Sequence, residues 1–489
     1  MTSPITQIIP EIGSRFIDNW FVKSASNHES VLRITLERSD GDQVVWRLQR
    51  AETPGPRSPF DTSGWQIAYE NTSVAYDQLI PCGQAWMNLV QLHGSTLSSA
   101  WTTTTNDTWQ TRIQAELLDQ PQRSVRLGDL LRPEELPKFA CTLPWTRLEA
   151  SQGGFIGPCC LEYQRGRWPN DDSPAALWNG PALQAFRRTL ANHQAPMATC
   201  RPTCPVLLAG NERAENVRIY GGSAASLQAQ VRSIESLLRG DSIVSGWPSQ
   251  VCLTVTSYCN YDCLMCPHGE EGRIDDQLTP SFYAGLTQML EGVCILELNG
   301  GEPLASPYLR GFLEEIDSNQ YSHLRINLIT NGSYLSEKQL ERFEKVPWGN
   351  LTFSLNAATA ATYKLVNRGL EFSRIQAHLE AVHAVRRQVA HRANVTYSMV
   401  LLLANFHEIE AFFDLAQRDG ADVRYLLPFR DRHGSSLMTQ RVAMETAQLA
   451  LERVADRLER QNRMRQSRDV RANAQILAQR IQAGVFQAL

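Results

Sequence analysis

Ser257-Tyr-Cys-Asn-Tyr-Asp-Cys-Leu-Met-Cys-Pro-His268 sets three cysteines, Cys259, Cys263 and Cys266, at C-x3-C-x2-C spacing. The apolar, β-branched run Val251-Cys-Leu-Thr-Val-Thr256 leads directly into it. Three thiolates on one loop can hold three irons of a 4Fe-4S cube and leave the fourth iron open. An open iron is a place for chemistry, whereas four protein ligands make a closed electron store. The competing reading is a zinc knuckle completed by His268, but structural zinc sites usually carry two paired ligand sets. His268 reads as a loop residue.

Outward from this loop, a strand-then-helix pattern repeats from about 250 to 430. Apolar strand candidates lie at 251–257, 294–299, 325–330, 350–355, 395–403 and 423–428, with helical stretches near 280–291, 307–318, 336–345, 374–390 and 406–418. Six such units with near-continuous apolar strands predict an α/β fold. Its core is a parallel sheet curled into a partial (β/α)6 barrel of TIM type over residues 249–435, helices outside. Residues 436–489 read as one or two C-terminal helices. The five arginines between Arg460 and Arg471 read as a solvated helix face.

Residues 250–430 resemble the core of the radical S-adenosylmethionine (radical SAM) superfamily, because several separate elements agree in order. Asn299-Gly-Gly-Glu-Pro303 follows the second strand and is similar to that family's GGEP motif. Thr330-Asn-Gly332 closes the third strand and Ser354-Leu-Asn-Ala357 the fourth. Barrel ligands belong at the C-terminal ends of strands, where all these elements fall. The resemblance implies that Cys259, Cys263 and Cys266 ligate an open-site 4Fe-4S cluster whose free iron takes S-adenosylmethionine. It assigns Gly300, Gly301, Glu302 and Pro303 to the methionine amine, with Glu302 adding charge. Asn331, Ser354 and Asn356 become further polar contacts to the cofactor. Met265 stands where many members carry an aromatic residue beside the adenine, a place a soft thioether can also fill.

A second cysteine group comes before the barrel, within residues 138–248. Cys141 to Gly154 to Cys159 follows C-x12-G-x4-C, and Cys200-Arg-Pro-Thr-Cys204 comes after. This resembles the opening of the SPASM or twitch module, and Trp178-Asn-Gly180 with Leu183-Gln-Ala-Phe-Arg-Arg188 resembles its bridging segment. Cys141, Cys159, Cys200 and Cys204 would saturate one auxiliary 4Fe-4S cluster; structural zinc is the alternative, since spacing alone does not separate the two metals. Cys160 is a spare. The family places this module after its barrel, and no cysteine follows Cys294, so one auxiliary cluster is the ceiling. Cys82, Cys252 and Cys294 read as small core residues. The segment ends in an amphipathic helix near 226–238.

Residues 1–137 read as a β-rich α+β domain. Val31–Glu37 and Val44–Gln49 alternate around Asp40-Gly41, a hairpin signal. Trp20, Trp46, Trp65, Trp86, Trp101 and Trp109 lie here, and core packing is the first expectation for them.

Composition narrows the partners. The chain is 43% hydrophobic and 20% charged with a net charge of −4, which gives no strong nucleic-acid or acidic-membrane signal. Eleven cysteines, mostly in two clusters, favour metal or redox centres over disulfides. No secretory pattern opens the chain and no apolar run approaches the ~20 residues of a membrane span. A cytoplasmic enzyme is expected. It would use S-adenosylmethionine to take a hydrogen atom from a substrate and so oxidise, epimerise or cross-link a peptide or protein residue. A small molecule such as an aminocyclitol or sugar is the alternative substrate, and a non-catalytic iron–sulfur scaffold or electron carrier the alternative class. An external one-electron reductant such as flavodoxin or ferredoxin is implied. Asp262, Glu297, Tyr258 and Tyr397 are the candidates near the strand ends for handling a proton.

Overall fold

A computed structural model describes, before residue 109, four strands between residues 16 and 73. Beyond that it describes residues 109–159, 166–167, 173–192, 213–369, 371–388, 393–428 and 433–486. The chain divides into two compact units, Met1–Thr111 and Arg112–Leu489. In the first, β1 (Phe16–Lys23), β2 (Glu29–Arg38), β3 (Val44–Ala51) and β4 (Gln66–Ser73) form an antiparallel meander in chain order. The expected hairpin is present as β2 against β3, with Glu37 opposite Val45. Its Asp40-Gly41 turn, Cys82 and the side chains of the first five tryptophans lie outside the described residues.

The second unit begins earlier than residue 138. Its β5 (Ser124–Arg126) pairs with β9 (Arg218–Tyr220), tying residues 112–137 to the segment before the barrel. Between them come β6 (Arg147–Ser151), β7 (Phe155–Gly157) and β8 (Gly166–Arg167). Six more strands follow: β10 (Gln250–Thr254), β11 (Ile295–Asn299), β12 (Arg325–Thr330), β13 (Trp348–Ser354), β14 (Asn394–Val400) and β15 (Asp422–Leu426). All lie in one nine-stranded sheet, ordered β15-β14-β13-β12-β11-β10-β6-β7-β8. β10 to β15 are parallel, each beside its predecessor, and β6 adds a seventh parallel strand against β10. The Cys141–Cys159 region therefore contributes to the same sheet as β10 to β15.

Local chemistry sets the crossovers. Thr279, Ser306 and Thr359 cap the helices Pro280–Thr287, Pro307–Glu315 and Ala360–Asn367 by accepting from the third N–H beyond, and proline opens the first two. The helix Ala360–Asn367 was not expected from sequence. Helices Phe372–Gln388 and Ile409–Asp419 complete the series.

The strands are not the near-continuous apolar runs expected. Leu296 and Leu298 of β11, Ile326 and Leu328 of β12, and Val395, Tyr397 and Met399 of β14 are buried, while Glu297, Asn327 and Thr396 between them stay half-buried. The helices cover only one face. The other face is polar and partly open, so alternation replaces the all-apolar pattern of a sheet buried on both sides.

Two long helices, Arg441–Arg460 and Met464–Gln482, pack together at the C-terminal side. Ala447, Leu451, Val454 and Leu458 form a buried stripe, and Arg453 pairs with Glu410 at 2.7 Å. No helix among the described residues is long and apolar enough to cross a membrane.

Candidate active site

The cysteine loop leaves the end of β10 and is clamped by the Gly-Gly-Glu turn that leaves β11. Gly301 N–H donates to the Thr256 carbonyl and Glu302 N–H to the Tyr258 carbonyl, both at 2.8 Å. Only glycine allows this approach. A Cβ on Gly301 would lie 2.1 Å from the Tyr258 oxygen, and Gly300 has φ +138° with a Cβ position 2.6 Å from the Thr256 oxygen.

Glu302 is tied to both strand ends. Its side chain is fully buried, and both oxygens are taken by the protein. Oε1 accepts from Leu304 N–H at 3.1 Å and from the Thr330 hydroxyl at 2.8 Å; Oε2 accepts from Asn331 N–H at 2.8 Å. The carboxylate thus latches the end of β11 to the end of β12. Burial pushes its pKa up to about 7 against those three donors, which pull the other way. Pro303 opens the short buried turn that follows.

Asn331 is brought to the cluster loop. Its Nδ2 donates to the Asn260 side-chain oxygen at 3.0 Å and reaches the Cys259 sulfur at 3.8 Å. On the far side, Leu264 N–H donates to the Val366 carbonyl at 2.8 Å and the Cys263 thiol lies 3.4 Å from the Asn367 carbonyl. Tyr261 is buried beneath the loop, where its hydroxyl meets that of Tyr363 at 3.1 Å, and a Cβ on Gly369 would strike its ring. Met265 is half-buried on the loop, and His268 bonds the Ser257 carbonyl through Nδ1 at 3.0 Å.

Asn356 is held just as closely. It holds a left-handed conformation, φ 58°, which asparagine tolerates better than most residues. Its side chain is buried, donating to Asn367 Oδ1 at 2.9 Å and accepting from Val400 N–H at 2.9 Å. Both ends are hydrogen-bonded within the fold, so the amide locks the β13 end to β14. Ser354 is half-buried at the end of β13.

Several partners had no motif to announce them. Asn367 donates to the Leu355 carbonyl at 2.7 Å, and Asn405 donates to the Asn356 carbonyl at 2.8 Å. Glu408 is buried and accepts from Ala358 N–H and from the Thr359 and Thr362 hydroxyls. A buried Asn or Glu outside any motif carries no periodic or compositional signal.

The three thiols fit a cluster by their chemistry. None is in a disulfide and all are half-buried; Cys266 bears on the ionisation of Cys259, and both bear on that of Cys263. Burial pushes the Cys259 thiol up to about 11 and Cys263 higher still. Ligation needs the thiolate, so cluster assembly here must release protons. No three His, Cys, Asp or Glu side chains among the described residues converge on a point that one metal ion would occupy. A cubane asks for less, since each thiolate needs only its own iron.

The proton candidates separate. Tyr397 is buried on the helix-covered face, between His383 and Asp419 at 2.9 Å each. Asp262 faces Arg368 at 3.8 Å. Glu297 is on the open face, where Arg147 bridges it at 3.3 Å and Glu149 at 3.5 Å. Cys252 lies between Glu149 and Glu297 in register and accepts from Asn299 Nδ2 at 3.3 Å; Cys294 is buried.

In the second cysteine group, the hairpin β6–β7 turns through Gly153 and Gly154, φ 78° and 74°, which accounts for the paired glycines. Cys141 precedes β6 and is buried, and Cys159 follows β7 and is half-buried. Antiparallel pairing brings both to the end of the sheet where β6 and β10 begin, away from the Cys259–Cys266 loop. Trp178-Asn179 is a structural clamp: Trp178 Nε1 donates to the Gly246 carbonyl at 2.8 Å and Asn179 bonds both Val244 N–H and its carbonyl. Cys160, Cys200 and Cys204 lie outside the described residues.

Residues 253–416 match the model of the Radical SAM superfamily. Over 206 residues the chain is 30% identical to the GTP 3',8-cyclase of Hydrogenovibrio crunogenus, covering 40% of this chain and 59% of that protein. It is 29% identical over 177 residues to the PqqA peptide cyclase of Gluconobacter oxydans, covering 36% of this chain and 47% of that protein. Among solved structures, Streptococcus suis SuiB bound to S-adenosylmethionine aligns over 57% of this chain and 63% of its own, at 17% identity and TM-score 0.34. The chain spans about half the length of the two relatives it matches by sequence.

Proposed function

We propose that this radical SAM enzyme uses S-adenosylmethionine to take a hydrogen atom from a peptide or protein residue, and so to oxidise, epimerise or cross-link it. The observation that carries this is the meeting of three motifs at one end of the parallel strands. The Cys259–Cys266 loop, the Gly300–Glu302 turn and Asn331 are joined there by direct hydrogen bonds. A reduced cluster on Cys259, Cys263 and Cys266 would cleave bound S-adenosylmethionine to methionine and a 5′-deoxyadenosyl radical. The backbone of Gly300 and Gly301, with Ser354 and Met265, would cradle that cofactor. Glu302, Asn331 and Asn356 would hold the cradle's walls in place. We read β10 to β15 as a partial barrel whose polar, partly open face receives the substrate.

A peptide substrate is supported by the PqqA peptide cyclase among the relatives. The GTP 3',8-cyclase relative supports a second reading, a small-molecule substrate. Cys141, Cys159, Cys200 and Cys204 are proposed to hold one auxiliary 4Fe-4S cluster in a SPASM- or twitch-like module. A five-residue strand spans roughly 17 Å, so at the far end of the sheet such a cluster suits an electron acceptor better than a substrate ligand. An external flavodoxin- or ferredoxin-type reductant and a cytoplasmic setting belong to the same reading.

The test is anaerobic incubation of the iron-reconstituted protein with S-adenosylmethionine and a reductant. 5′-Deoxyadenosine should form, and Cys263→Ala should abolish it; absence of that product with substrate present would end the enzyme reading. Untargeted mass comparison of cells with and without the protein separates peptide from small-molecule products. Iron and sulfide analysis of Cys141→Ala and Cys200→Ala tests the auxiliary cluster, and loss of zinc instead of iron would remove it.

A further inference from the structure

A cleft of about 900 Å³ lies between β9 and the helix Met464–Gln482, lined by Ser124, Arg218, Arg465, Arg468 and Asp469. We propose that it binds a small phosphate ester carrying a hydroxyl group, at a site separate from the catalytic one.

Charge is the first argument. Arg218 comes from a strand and Arg465 and Arg468 from a helix some 250 residues later, yet they share one cleft. All three are exposed, and among the described residues none of them stands in an ion pair within 4 Å; Asp129, already held by Arg126, is the one acid outside the cleft that feels the charge of Arg218. Their neighbours in the same region are already matched: Arg463 holds Asp422, Arg471 holds Asp456 and Glu459, and Arg126 holds Asp129. Three guanidinium groups turned to one space, against the single carboxylate of Asp469, favour a multiply charged anion with oxygens for forked hydrogen bonds.

The lining also narrows the ligand. It contains no apolar or aromatic side chain on which a base could stack, which favours a compact phosphate ester over a nucleotide. Arg218 donates to the Ser124 hydroxyl oxygen at 3.0 Å, so that hydroxyl's own proton remains free to point at an anion. Asp469 supplies an acceptor for a ligand hydroxyl.

Location separates this cleft from catalysis. Around it, Tyr220 accepts from Gln250, the first residue of β10, and Arg325, the first of β12, reaches the Pro121 carbonyl. Arg463 holds Asp422, the first residue of β15. The cleft therefore sits where the strands begin, and the cysteine loop follows the other end of β10.

The experiment is calorimetric titration of the full-length reconstituted protein with glycerol 3-phosphate, inorganic phosphate and citrate at constant ionic strength. Saturable binding of glycerol 3-phosphate at one site per chain is expected, tighter than either other anion. Arg465→Gln/Arg468→Gln and Arg218→Gln should each weaken it by roughly tenfold or more, with 5′-deoxyadenosine formation unchanged. No saturable binding, equal affinity in the variants, or citrate binding as tightly would overturn the proposal. Circular dichroism checks that the exposed substitutions leave the fold intact.

Discussion

The Glu302 carboxylate accepts the Asn331 backbone N–H at 2.8 Å inside a fully buried pocket. That bond carries the position of the Gly-Gly-Glu turn across to the Asn331 side chain beside Cys259. Burial raises the folded-state pKa from 4.5 to about 7. A carboxyl with a raised folded pKa binds its proton more tightly folded than unfolded. Its contribution to stability is therefore full below pH 4.5, falls between 4.5 and 7, and is flat above. The loss across that window is on the order of 3 kcal/mol. Urea denaturation of the wild type and Glu302→Gln from pH 4.5 to 8 should show the wild-type advantage shrinking as pH rises. A constant difference would mean that Glu302 stays ionised throughout.

Gly301 and Gly311 make a matched pair. A Cβ on Gly301 would press on the Tyr258 and Ser257 carbonyls at 2.1 and 2.7 Å, backbone atoms that cannot yield without moving the cysteine loop. Gly301→Ala should sharply reduce reconstituted iron and abolish 5′-deoxyadenosine formation. Gly311, inside the helix Pro307–Glu315, has nothing within 4 Å of a Cβ position. Gly311→Ala should raise stability by about 0.5–1 kcal/mol and leave the iron untouched. Iron content and thermal melting of the two variants, side by side, check both.

Asn367 joins the cluster loop to the strand ends without itself belonging to any motif. Replacing it by alanine would strand the Leu355 carbonyl and the Asn356 amide in a buried space. Each orphaned group costs about 1–3 kcal/mol, so Asn367→Ala should lose about 2–6 kcal/mol. Cluster retention should fall with it, because the Asn367 carbonyl lies against Cys263. Unchanged melting with lost activity would point instead to direct contact with a reactant.

Legibility in the sequence followed the reach of each interaction. The strand order from β10 to β15 could be read because every strand pairs with its neighbour in the chain and three of the crossover helices carry their own side-chain caps. The cysteine, Gly-Gly-Glu and Thr-Asn-Gly elements could be placed together because all of them end parallel strands. Long-range choices could not be read. Nothing in Arg147–Ser151 says that it will pair with β10, a strand about 100 residues later. Motif membership also did not reveal which atoms face the cofactor. Glu302 and Asn356 sit in motifs, but their side chains are spent on Asn331 and Asn367, contacts decided by tertiary packing.

Arg187 tests the clamp that holds the second cysteine group to the sheet. Its side chain is fully buried, with the guanidinium 4.4 Å over the Trp178 ring. It donates to the carbonyls of Pro144, Trp178 and Ser242 and to Asn179 Oδ1, at 2.8 to 3.0 Å. These acceptors come from the Cys141 turn, the Trp-Asn-Gly segment and the loop leading to β10, so one cation joins three stretches of chain. Desolvation lowers its pKa to about 9, which still leaves it charged at neutral pH. Arg187→Met would remove the cation and its bonds to the Pro144, Trp178 and Ser242 carbonyls, leaving Asn179 Oδ1 only its Val244 N–H partner, a loss on the order of 3–5 kcal/mol. Arg187→Lys should rescue little of it, because an ammonium cannot reproduce the planar fork or the stacking on tryptophan. Chemical denaturation of both variants checks the ranking, and full stability in the lysine variant would show that charge alone, without the fork, is enough.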